Sequence, residues 1–317
     1  MKKVLLIISA IFIVLALAVF VCTMSACDWS FNNLIHPEKV VTYDITDSFS
    51  DVEISVSTSD VKLIATDDAT PRVVSVEGNR VSYRALVKDG TLKIERIDSR
   101  RWYEYLAVSC VDYALTVYLP RGEWGALTLT AGTGDSEICD GLSFTSASIT
   151  ASTGDVDFES DVVGAASVVV TTGDIEIKNA SCGSLSLSVS TGDIEAEGLT
   201  VLGDIKINAG TSDYELTNVK CKNLISKGST GDLTLTSVIV SEKMTVNHTT
   251  GDVILHSSDA AELSIKTSTG DVKGTLLSPK IFITKVSTGK IDVPRSTEGG
   301  VCEVTTTTGN IIISLAD

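Results

Sequence analysis

The chain is predicted to be an all-β, single-domain, right-handed β-solenoid preceded by one N-terminal transmembrane helix. Three features of its 317 residues carry that prediction. A Thr-Gly-Asp corner returns every 19 or 20 residues between Gly134 and Gly309, and a fixed period near twenty residues signals a repeat architecture. Around each corner apolar and polar residues alternate, the pattern of a half-buried strand. At the start, residues 4–22 hold no charge, and at about 1.5 Å per residue such a run spans one hydrocarbon core.

Residues 1–26 come first. Lys2 and Lys3 precede the apolar run, with Ser9 its one clearly polar residue. An uncleaved signal anchor fits, with the lysines cytoplasmic and the body exported. A cleaved signal peptide also fits. So does a lipoprotein signal, because Met24-Ser25-Ala26-Cys27 has the small residues of a lipobox before a cysteine that would be acylated. All three place the body outside the cytoplasm, and the anchor makes it a single-pass protein of the cell membrane.

Residues 27–44 read as a stalk, broken by His36-Pro37. Residues 45–125 read as an irregular set of first rungs or a sandwich-like cap. Within them Val52, Ile54, Val56, Val61 and Leu63 surround Ser59 at the offsets found around each later glycine. That makes a cryptic rung, separated from the next marker by close to four periods. Residues 72–77, 81–87, 91–97 and 110–119 read as strands, with a turn at Asp89-Gly90.

Residues 126–317 are the regular repeats. Counted from the glycine slot, positions −7, −5, −3, +2 and +4 are apolar: Ala166, Val168, Val170, Ile175 and Ile177 around Gly173, for example. Each repeat is two short strands about a corner. Glycine there permits a positive φ or a close approach that a Cβ would block, and aspartate can bond a nearby backbone N–H. Strands this short bury a face only by stacking, rung on rung, about 4.8 Å apart. A right hand follows from the preference of parallel crossovers. Ser212, Lys290 and Asn310 stand in degenerate corners without disturbing the apolar phase.

The net charge is −16, which argues against nucleic acid as a partner. Stacked corners would align Asp155, Asp174 and Asp193 with their neighbours in one column. Two readings stand: turn capping, or calcium bound along the column, against which each corner offers one carboxylate where calcium takes several oxygens. The seven cysteines form no Cys-x-x-Cys motif, and Cys182 and Cys221 share a column two rungs apart, too far for a disulfide. His248 and His256 are expected to point to opposite sides of one rung. No hydrolase elbow or metal-ligand pattern is present, so neither enzyme activity nor a cofactor is expected; a polysaccharide-active enzyme on an outer face is the alternative. Arg100-Arg101-Trp102-Tyr103-Glu104-Tyr105 is an aromatic, basic cluster in an acidic chain. Arg101, Trp102, Tyr103 and Tyr105 are the candidate contact for an envelope glycan or protein partner; the competing reading is a hairpin that folds its aromatics over the end of the solenoid.

On the repeated corners, the lead-in Val117-Tyr118-Leu119-Pro120 and the apolar N-terminus before an acidic β body, the chain resembles a bacterial adhesin-like family of unknown function. Arg101 to Tyr105 looks like a segment typical of its Firmicute members. The resemblance covers residues 43–317. It implies an extracytoplasmic β-solenoid without defined catalytic residues, serving as a surface scaffold in adhesion or in cell-envelope stress and sensing.

Overall fold

The computed structural model describes residues 2–26, 29–30, 38–102 and 112–316. A 25-residue helix, Lys2–Ala26, opens the chain. Its segment Ile8–Ser25 has a mean hydropathy of 2.6, long and apolar enough to cross a membrane. The side chains of residues 8–21, Phe12 and Val14 among them, are exposed, and Met24 is buried.

From Lys39 on, the elements among the described residues are strands. Two parallel sheets face each other, with one strand of each rung in either sheet. Long strands such as Leu142–Thr153, Asp161–Thr172 and Ser181–Thr191 build one sheet. Short strands such as Val156–Phe158, Ile175–Lys178 and Ile194–Glu197 build the other. The pairing is in register: Ile149, Val168, Leu187 and Ile207 stack in one column, and Val156, Ile175, Ile194 and Tyr214 in the facing one. All are buried. Each inward aliphatic side chain contributes about 1.5–3 kcal/mol of transfer free energy, so the core is a continuous stripe along the stack.

The corner glycine is demanded by its neighbour. Gly173 has φ 134°, and a Cβ there would lie 2.2 Å from the carbonyl oxygen of Gly154 in the next rung. Ser59 and Ser212 occupy the same slot without positive φ, and both are buried. The cryptic rung at Ser59 is present: its N–H donates to Thr133 O at 2.9 Å. No four rungs lie between, however. Residues 51–66 stack directly on 122–138, and the strands described between them build the end of the solenoid. There Thr91–Asp98 and Ala114–Pro120 form one further parallel layer. Antiparallel strands Lys39–Asp44, Arg72–Glu77 and Val81–Lys88 close it. Lys39–Asp44 therefore belongs to the body, not to the stalk expected at 27–44. The reason is local: Val41 and Tyr43 alternate with outward residues, and Tyr43 Oη donates to buried Glu77 at 2.7 Å. Asp89 and Gly90, with φ 51° and 77°, make the expected hairpin turn.

The opposite end departs from sequence order. Val253–Thr269 pairs with Gly300–Thr308, and only beyond that does Lys280–Thr288 follow. The short sheet agrees: Val272–Leu276, then Ile311–Leu315, then Ile291–Asp292. The rung that is last in sequence is the penultimate layer of the stack. Residues 293–299 carry the chain back to fill the gap.

Candidate functional site

The corner aspartates are joined across rungs. The N–H of Asp174 donates to Asp155 Oδ1 at 2.8 Å, that of Asp193 to Asp174 Oδ1 at 2.7 Å, and that of Asp155 to Asp135 Oδ1 at 2.9 Å. The ladder runs from Asp60 through Asp271, then Asn310, then Lys290. Each carboxylate thus satisfies a corner donor of the next layer, where the sequence suggested a bond within its own turn. Asn310 serves as well as Asp because its amide oxygen accepts the Lys290 N–H at 3.0 Å. Asp155, Asp174 and Asp193 lie on one exposed ridge. Among the described residues no three His, Cys, Asp or Glu side chains are grouped to hold a metal ion.

A second acidic column stands two residues further on. Glu137, Asp157, Glu176, Glu195 and Glu215 are register partners on the outer face of the short-strand sheet. Burial, and then the charges of Glu137, Asp155 and Asp135, push the Asp157 carboxyl above its ordinary pKa. Lys62 closes the column at 2.6 Å from Glu137. The signal is legible, an acid three residues after each of the five consecutive corner slots from 134 to 212, but it lies in the polar positions between the apolar ones.

The outer face of the long-strand sheet differs. Thr128, Ser148, Ser167 and Ser186 form one column, and Thr130, Thr150, Val169 and Ser188 another. No charge interrupts either. Both columns turn basic further along, at Lys206 and at Lys227 and Lys266. A cavity of about 470 Å³ lies at the transition, floored by Ala209, Gly210 and Gly228 and walled by Ser188, Asn208, Lys227 and Asn247.

Beneath Gly228 the core holds polar groups. Tyr214 meets His248 edge-on at 5.2 Å, and His248 Nε2 lies 3.2 Å from Ser226 Oγ. A Cβ on residue 228 would fall 2.1 Å from Tyr214 Oη. Burial holds the His248 imidazole below its ordinary pKa and, with the Asp213 charge, pushes the Tyr214 phenol up to about 12. His256 points outward, opposite to His248. Cys182, Cys221 and Cys302 are buried and free. Burial raises their thiols to about 11, 12 and 12, so they pack as small apolar groups.

Of the aromatic basic cluster, Arg100 bonds Asp98 through Nε at 2.9 Å, and Arg96 lies over the Tyr113 ring at 4.9 Å. Burial opposes ionisation of Asp98, but its bonds to Arg100 outweigh that and hold the carboxyl below its ordinary pKa. Trp102 is 79% exposed. Tyr103, Tyr105 and Cys27 lie outside the described residues.

Solved structures similar to this chain are described as a "putative adhesin" from Bacteroides fragilis, a "putative adhesin" from Parabacteroides distasonis and a "putative lipid binding protein" from the latter species. The chain is 13%, 14% and 14% identical to them. The matches cover 87%, 86% and 87% of this chain and 97% of each of those, with TM-scores of 0.40, 0.41 and 0.34. No curated protein matches it. The model of the Toastrack DUF4097 family matches residues 49–211 and 200–317, and with nearly the whole β body covered the chain belongs to that family, a domain of unknown function.

Proposed function

We propose that the protein is a non-enzymatic surface scaffold, tethered to a membrane by Lys2–Ala26 and displayed outside the cytoplasm, that works by contact in adhesion or envelope sensing. The observation that carries this reading is the uncharged hydroxyl face along 128–188. A flat sheet surface of Ser and Thr presents regularly spaced donors and acceptors to a polymer, with no carboxylate or lysine to demand a charged partner. The candidate span Ile8–Ser25 supports the tether. The names of the similar structures agree with a surface role. Arg101 and Trp102, before the second sheet strand of the capped end, make a further candidate partner contact.

Protease shaving of intact cells tests the topology: the β body should be cleaved from outside, and a fully protected body overturns the tether reading. Binding of the purified chain to isolated cell-wall polymer tests the role. Ser148→Glu with Ser186→Glu should abolish retention without changing the melting temperature by more than about 2 °C. Release of soluble sugar fragments would instead mark a polysaccharide-active enzyme.

A further inference from the structure

The two ends of the stack are finished differently, and the far end is unfinished. Lys280–Thr288 pairs on one side with Gly300–Thr308 and with no strand on the other among the described residues; Ile291–Asp292 does the same in the short sheet. At the slot two residues after the glycine, Ile175 and Ile311 are 0% exposed, whereas Ile291 is 44% exposed. Phe282 and Val286, inward by phase, are only half-buried. Ile283 points outward and is 57% exposed. Natural edge strands are guarded by charge, proline or bulges. This one has no proline, and Lys285 is its one exposed charge, since Lys280 is buried against Asp259 at 2.7 Å.

We propose that this end docks onto the same end of a second copy of the chain, Lys280–Thr288 pairing antiparallel with its mate across a twofold axis at Thr284. The sequence of the strand is self-complementary in that register. Phe282 lies opposite Val286 twice, on the inward side, and Thr284 opposite Thr284. On the outward side Ile283 lies opposite Lys285, so no lysine meets a lysine. Such cross-strand pairs are the unit of sheet stabilisation. The cavity of about 660 Å³ beside Phe282, Ile291 and Val293 is room for the mate's side chains. A second copy is favoured over an unrelated strand because the strand is complementary to itself, and the other end is roofed by antiparallel strands of different sequence: an isologous contact at the open end covers its exposed apolar residues and stops at two copies. The contact rests on the open edge alone. Its meaning, a bridge between two facing surfaces, rests on the tethered reading above.

The test is the mass of the full chain in detergent micelles, by light scattering or sedimentation across a concentration series. A dimer is expected. I283K sets lysine opposite lysine twice and should raise the dimer Kd by about tenfold or more, while circular dichroism stays unchanged. T284C should give a disulfide dimer under mild oxidation that the parent chain does not give, since the two copies meet at that residue. A monomer throughout, a dimer indifferent to I283K, or a monomer that takes up an apolar dye lost on Phe282→Ala overturns the proposal; the last outcome assigns the end to a small apolar ligand. Chain reconstituted in vesicles should cluster them. Dimer in micelles without clustering leaves the contact standing and refutes the bridging between tethered surfaces.

Discussion

At the amino-terminal end of the stack the core is roofed, and at the other it meets water. The roof is built from residues of mixed character. Tyr83 is buried and its hydroxyl bonds Ser59 Oγ in the corner slot. Tyr43, Ser75 and the N–H of Tyr83 converge on Glu77 Oε1 at 2.7, 2.9 and 3.2 Å. Burial, then the bond to Glu77, pushes the Tyr43 phenol up to about 12. The far end is made of the same kind of rung as the middle, without a lid. The difference teaches that a repeat does not terminate itself: closing the stack takes strands of other design, here Lys39–Asp44, Arg72–Glu77 and Val81–Lys88.

The largest effect that would break this contrast is at the aromatic residues. Tyr83→Ala removes a buried ring and orphans its partners, and should cost about 3–5 kcal/mol in chemical denaturation. Phe282→Ala at the open end should cost about 1–2 kcal/mol when measured on the chain diluted to monomer, because the ring is then half in water. Equal losses in the monomer would mean that the chain's own residues cover the far end. Next comes one slot compared in two places. Ile175→Ala should cost about 2–4 kcal/mol and Ile291→Ala less than about 1 kcal/mol, in the same measurement.

Acid should also separate the two regions. His248 faces Tyr214 and Ser226, and of the nearby charges Asp232 alone favours its protonation. Burial lowers its pKa below the ordinary 6.5. The unfolded chain therefore takes up the proton first as pH falls, so stability is full above that value and is lost on the way down to the depressed folded value. Hydrogen exchange at pH 7 and pH 5 should show opening of the rungs around 214–250 before the capped end, and H248N should remove the difference. The smallest effect is in the corner ladder. Asp174→Ala should lose about 1 kcal/mol, whereas Asp174→Asn should lose little, since an amide oxygen still accepts the Asp193 N–H.

Much of this architecture is legible in the sequence. The period placed the corners, and the alternation placed Val168, Leu187 and Ile207 inside. What could not be read is which rung lies beside which. The phase of apolar residues dictates the face that a side chain takes, and the rung at Gly289 and the rung at Gly309 have the same phase. Either could neighbour the rung at Gly270, so the inversion there leaves no mark in the pattern. The same blindness hid the direct contact of residues 51–66 with 122–138. Turn capping is one of the two readings that the sequence allows for the aspartates, but a donor one rung away is beyond a reading of local turns. The column from Glu137 to Glu215 sat in plain view among positions treated as solvent.

The inverted order of the last two layers has a consequence for how the molecule is made and cut. A segment that comes later in the chain than the layer it supports is a keystone, set between courses already laid. Lys280–Asp292 has no proper seat until Gly300–Leu315 arrives beneath it. Trimming the chain from its carboxyl terminus would therefore not give a shorter rod; it would pull out an interior course and strand the one above.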